Sequence, residues 1–131
     1  MSKDILSIMQ MDTIFFDAFS FKRYGFGSNN ELETTFETEI SVNETSTTFK
    51  VSIRAQLVKK DEYDLTVTIV GMFHFTQDIT EEQKEVLLSK NAVAILMPHL
   101  RSHIMLLTTQ PELEAVILPI YNIDNMVDNE K

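Results

Sequence analysis

The sequence predicts an α+β domain, a four-stranded antiparallel sheet joined to a short helix and a long amphipathic helix. Two observations carry most of that prediction: apolar residues alternate with polar ones through the middle third, and the period lengthens to that of a helix after Phe75. A third is that each periodic run is bounded by a polar or glycine-containing break.

From Leu32 to Val42 the even positions are Leu32, Thr34, Phe36, Thr38, Ile40 and Val42, and the odd positions are Glu33, Thr35, Glu37, Glu39 and Ser41. The next run inverts parity, with Phe49, Val51, Ile53, Ala55 and Leu57 apolar against Lys50, Ser52, Arg54 and Gln56. Cross-strand partners share a face, so the two runs form a hairpin only if an even residue meets an odd one. Pairing Val42 with Phe49 satisfies this and sets Glu37 beside Arg54 on the wet face. The connection, Asn43 to Thr48, is polar throughout. After the polar turn Lys59-Lys60-Asp61-Glu62, a third run keeps Tyr63, Leu65, Val67, Ile69, Gly71, Phe73 and Phe75 on one side. Val70 and Met72 interrupt its polar side. They are expected either to lie under a neighbouring segment or to offer a second apolar surface to a subunit or client.

Upstream, residues 1–27 are rich in aromatics (Phe15, Phe16, Phe19, Phe21, Tyr24, Phe26) and supply the fourth strand, although Met9 to Tyr24 shows no clean period. Gly25 and Gly27 break the chain before the central sheet. Downstream, Thr80-Glu81-Glu82-Gln83 has the form of a capping box and opens a short helix through about Lys90. A longer helix from about Asn91 to Leu107 carries the stripe Val93, Met97, Leu100, Ile104, Leu107. Pro98 inside it predicts a bend or an irregular turn. The apolar tail, Leu113 to Ile123, contains Pro119 and reads as a packed extended segment outside the sheet. Residues 125–131 are expected to form a flexible tail.

The chain has 131 residues, enough for one domain spanning 1–131. No apolar run approaches the ~20 residues that span a bilayer, and MSKDILSIMQMD does not read as a secretory signal. The chain has no cysteine, which removes disulfides, thiolate nucleophiles and Cys-ligated zinc and fits a reducing cytoplasm. A net charge of −9 argues against nucleic acid as a partner. The three glycines form neither a dinucleotide loop nor a phosphate loop, no nucleophile elbow is present, and no catalytic residue or cofactor is expected. His99 and His103 have the spacing of two imidazoles facing one metal. No glutamate lies between them and Arg101 does, so the expectation is no metal, even with His74 as a third group.

Two segments carry more than periodicity. The helix reads Ala94-Ile95-Leu96-Met97-Pro98-His99-Leu100-Arg101, followed by Ile104 and Leu107-Thr108. The tail reads Leu118-Pro119-Ile120-Tyr121-Asn122-Ile123-Asp124. With Gly71-Met72-Phe73 closing the third central run, these resemble the SecB family of bacterial export chaperones. The likeness in letters runs from about Leu65 to Asp124, and from Glu31 to Lys60 it is topological.

The resemblance implies a homotetramer, built as a dimer of dimers, that holds unfolded or precursor polypeptides without ATP and delivers them to the SecA motor of the translocase. It implies client or subunit contacts at Val70, Met72, Phe73, Met97, Leu100, Ile104, Ile120 and Tyr121. The family's acidic residue, five positions before the strand-end glycine, is Thr66 here. The acids left as docking candidates for SecA are Glu37, Glu39 and Asp64. Some members of the family instead hold an unstable antitoxin of a toxin–antitoxin pair, which is the second implied role. A protein-interaction adaptor on the same fold, with one folded partner, is the third reading.

Overall fold

The computed structural model describes residues 8–43, 45 and 47–119. Four strands, β1 (Met9–Arg23), β2 (Leu32–Val42), β3 (Phe49–Lys59) and β4 (Tyr63–Phe75), form one antiparallel sheet in the order β1-β4-β3-β2. The hairpin register is the one the parities demand, with Val42 opposite Phe49 and Glu37 opposite Arg54. Odd residues of β3 and β4 face a single layer of helix. Val51, Ile53, Ala55, Leu57, Leu65, Val67, Ile69 and Phe73 are fully buried there.

β1 explains why its sequence has no single period. Its register against β4 shifts between Met11 and Thr13 and again between Phe16 and Ala18, leaving Asp12 and Asp17 unpaired. Each bulge flips the parity of the residues that follow. Met9 and Met11, then Ile14 and Phe16, then Phe19 and Phe21 therefore all face the helix layer, opposite odd residues of β4.

The helical region differs from two separate helices. α1 (Glu81–Val86) passes through a π-helical turn at Leu87–Asn91 directly into α2 (Ala92–Thr108). The capping box forms as expected: Thr80 Oγ1 accepts the Gln83 N–H at 3.1 Å, and Gln83 Oε1 accepts the Thr80 N–H at 3.0 Å. The Ala92 N–H reaches back five residues to the Leu87 carbonyl. That wider turn re-phases the helix, so the buried pair Leu87 and Leu88 lies on the face continued by Ala92 and Val93. α2 continues through Pro98 to Thr108, and the π turn at Leu87–Asn91 lies too far ahead to be the proline's doing, because the carbonyl that Pro98 leaves without a helical donor is that of Ala94.

α2 packs on β4 and β3, with Val93, Leu96, Leu100 and Ile104 fully buried and Met97 nearly so. Full burial of each such side chain stabilises the fold by ~1.5–3 kcal/mol. The helix comes close because Gly71 has no side chain: a Cβ there would stand 2.9 Å from Leu96 Cδ2.

The far end of the sheet is knotted by a charged residue that the turn-like sequence Lys59–Glu62 did not mark for burial. Glu62 is only 3% exposed. Its carbonyl accepts the Tyr24 and Gly25 N–H groups at 2.7 and 3.1 Å. Its Oε1 accepts from the Ser28 N–H at 3.0 Å and meets Lys59 Nζ at 3.3 Å. The β1–β2 connection is thereby tied to the β3–β4 turn. The predicted tail at 125–131 lies outside the described residues.

Candidate polypeptide-binding surfaces

One helix over four strands leaves two flanks. α2 covers the middle strands, and the helix-facing residues of the edge strands β1 and β2 extend past it. On the β1 flank, Phe19 is 58% exposed and Leu106 of α2 is 66% exposed, with Met11 also open. His103 closes part of this flank by stacking on Phe16 at 4.0 Å between centroids, with Phe19 edge-on at 5.8 Å. Its Nε2 is buried with no hydrogen-bond partner among the described residues.

On the β2 flank, Ile40 and Val42 are 41% and 50% exposed. With Phe49, Leu88 and the stem of Lys84 they line a cleft of about 370 Å³ rimmed by Glu81 and Glu85. Farther along the same strand, Leu32, Tyr63 and Val116 line a second cleft of about 370 Å³ that includes Lys59, Glu62 and Glu114. Burial, and secondarily the carboxylates of Glu62 and Glu114, raises the pKa of the Tyr63 phenol.

The opposite, open face of the sheet carries the acids. Glu33, Glu37 and Glu39 stand along β2, with Arg54 of β3 opposite Glu37. Asp64 lies two strands away, in line with Val58 and Glu33, and accepts the Tyr24 hydroxyl at 2.8 Å. That hydrogen bond is the main reason the Tyr24 phenol titrates above its ordinary value. The three docking candidates share a face and do not converge: Asp64 is paired locally, and Glu37 and Glu39 stand on the far edge strand.

The residues expected to touch clients divide in the same way. Phe73, Met97, Leu100 and Ile104 lie in the core of the single chain. Val70 is fully buried on the open face, outside the main core, between its cross-strand neighbours Phe15 and Ser52. Met72, beside it, is half-buried. Ile120 and Tyr121 lie outside the described residues. The apolar groups that the folded chain presents include Phe15, Phe19, Leu106, Ile40 and Val42, with Phe26 and Ile117 the most exposed. Periodicity assigned the β2 pair to an apolar face. Their exposure depends on where the helix comes to rest, which the sequence does not state.

His74 does not meet the other two histidines. His74 sits on the open face, where its Nδ1 is 2.8 Å from Asp12 Oδ1 at the first bulge. His99 and His103 belong to the helix on the other side of the sheet. Among the described residues no three His, Cys, Asp or Glu side chains are grouped to hold a metal ion.

A four-stranded antiparallel sheet with one helix across its middle and apolar flanks defines the class as an α+β fold with a single helical layer. The particular fold is SecB-like. The chain is similar to the SecB-like chaperone Rv1957 of Mycobacterium tuberculosis, solved in complex with a ChAD peptide from the HigA1 antitoxin. The TM-score is 0.76 at 16% identity, covering 90% of this chain and 94% of that one. It also resembles a protein of unknown function from Streptococcus agalactiae, with TM-score 0.51 and 16% identity, over 86% of this chain and 97% of the other. No protein-family model matches the sequence, and no curated protein matches it.

Proposed function

We propose that the chain is an ATP-independent holdase that binds extended, non-native polypeptide along the flanks of its helix. The observation that carries this reading is the mismatch between one helix and four strands, which leaves Ile40 and Val42 on one side and Phe19 and Leu106 on the other in water. The eleven residues of β2 span roughly 36 Å at about 3.3 Å per residue, the reach of an extended client segment of similar length. A protein that binds the unfolded state holds it by mass action and needs neither nucleotide nor catalytic group. The SecB-like fold supports the reading.

In this reading the β1 flank pairs with a second copy of the chain to give a dimer, and two such dimers associate into a homotetramer in the cytoplasm. An edge strand with exposed aromatic residues is a ready surface for pairing. Among the described residues no helix is long and apolar enough to cross a membrane.

The client class has two readings. Precursor polypeptides destined for SecA are one, with Glu37, Glu39 and Asp64 as the acids available for docking. An antitoxin segment is the other, and the observation favouring it is that the structural neighbour was solved with an antitoxin peptide. The test is aggregation of a reduced, unfolded protein followed by light scattering without ATP. Suppression at near-stoichiometric ratios is expected, and none at several-fold excess refutes the holdase. Native mass of the purified chain tests the assembly, a tetramer being expected and a monomer counting against it.

A further inference from the structure

The segment after α2 packs on the core without belonging to the sheet or the helix. Glu112 turns it with φ 60°, and it runs back beside α2. Leu113, Val116 and Leu118 pack on the core while Glu114, Ala115 and Ile117 face water. Among the described residues, no backbone–backbone hydrogen bond holds residues 113–119.

Side chains hold the segment instead. Arg23 Nη1 donates to the Glu112 carbonyl at 3.2 Å. Thr108 Oγ1 accepts the Val116 N–H at 2.8 Å. Arg101, part-buried on α2, donates from Nε and Nη2 to the single carbonyl of Leu118 at 3.2 and 3.0 Å. Each of these contacts engages main chain, so none of them depends on the identity of the strap's own side chains. An extended polypeptide of different sequence offers the same groups. The strap also borders the cleft at Leu32, and the cleft at Ile40 and Val42 opens further along the same strand.

We propose that residues 113–118 are an intramolecular occupant of the Leu32 end of the β2 flank, closed by the Arg101 fork, and that a client lying along β2 binds by displacing them. This rests on the holdase reading and adds regulation to it. Strap and client compete for one surface, so each lowers the affinity of the other, and the apparent client affinity is reduced by the fraction of molecules with the strap closed.

The experiment is amide exchange followed by NMR on the full chain, with and without a saturating reduced, carboxymethylated lactalbumin. The expected result is Val116 N–H exchange at least about tenfold faster with client bound, as its bond to Thr108 opens, with β3 and β4 amides unchanged. Val116 exchange unchanged or slowed while the client is demonstrably bound overturns the displaceable strap and leaves the holdase intact. A client that does not bind at all ends both. Arg101→Ala removes two charge-assisted hydrogen bonds from the closed strap, so Val116 exchange in the client-free chain should quicken on the order of tenfold. Unchanged Val116 exchange in that variant counts against the proposal. If it does not fold, Thr108→Val removes the Val116 acceptor at nearly constant volume and should quicken the same exchange. The wild-type exchange measurement needs no variant.

Discussion

Substituting Gly71 by alanine tests how closely the helix sits on the sheet. The added Cβ would stand 2.7 and 3.0 Å from Phe73 Cε2 and Cζ, and 2.9 Å from Leu96 Cδ2. Carbon atoms in contact settle at about 3.5–4.0 Å, so both side chains must retreat by roughly 0.5–1 Å. Phe73 and Leu96 are each fully buried, so neither can retreat into solvent. Overpacking of this kind costs about 1–3 kcal/mol. Replacing glycine also stiffens the unfolded chain, which returns ~0.4–1 kcal/mol. With the middle of each range, the net loss is about 1.3 kcal/mol. In urea, with a slope of about 2 kcal/mol/M, the midpoint falls by roughly 0.6–0.7 M at unchanged slope. Combining Gly71→Ala with Leu96→Ala should cost less than the sum of the two single changes, because the second makes room for the first. An unaltered or raised midpoint for Gly71→Ala, or strict additivity of the pair, would refute the close approach of α2 to β4.

Ile40→Asp together with Val42→Asp should weaken client binding on the order of tenfold or more while leaving the thermal midpoint nearly unchanged, since both side chains already meet water; equal client titrations for variant and parent would remove the β2 flank from the site. The Tyr63 phenol ionises higher in the folded chain than the ~10 of the unfolded chain, so its stabilising effect is complete below pH ~10 and is lost as pH rises through the raised folded value. Stability should therefore fall with pH in that alkaline window, and Tyr63→Phe should flatten the slope when denaturation midpoints are compared across it. Thr80→Ala removes the acceptor for the Gln83 N–H and should cost ~0.5–2 kcal/mol by chemical denaturation.

The elements legible in the sequence are those whose period runs unbroken. Alternation from Leu32 to Val42 and from Phe49 to Leu57 determined the hairpin register, because a slip by one would turn every apolar side chain to water. β1 was opaque for the same reason, since its parity changes twice within fifteen residues and no single period fits it. The capping box was readable from four letters. Continuity of the helix through Leu87–Asn91 was not, because a π turn has no distinctive residue pattern. The site was less visible than the fold. Stripe residues such as Met97 and Leu100 advertise apolarity, and apolarity alone does not separate core from contact surface. Arg101 stood in the helix motif, but its role depends on a carbonyl seventeen residues away.

The two bulges of β1 also govern how this strand tolerates changes in length. Fifteen residues of β1 pair with thirteen of β4, and the two left over are both aspartates. Losing Asp12 or Asp17 would preserve every cross-strand pair and the face of every aromatic, while relaxing the local bend. The strand thus holds two residues of slack, and a one-residue deletion nearby can be absorbed by closing a bulge. Aligned with a chain that lacks these bulges, this sequence would take its gaps inside β1, at Asp12 and Asp17, to keep the N-terminal aromatic residues on their faces.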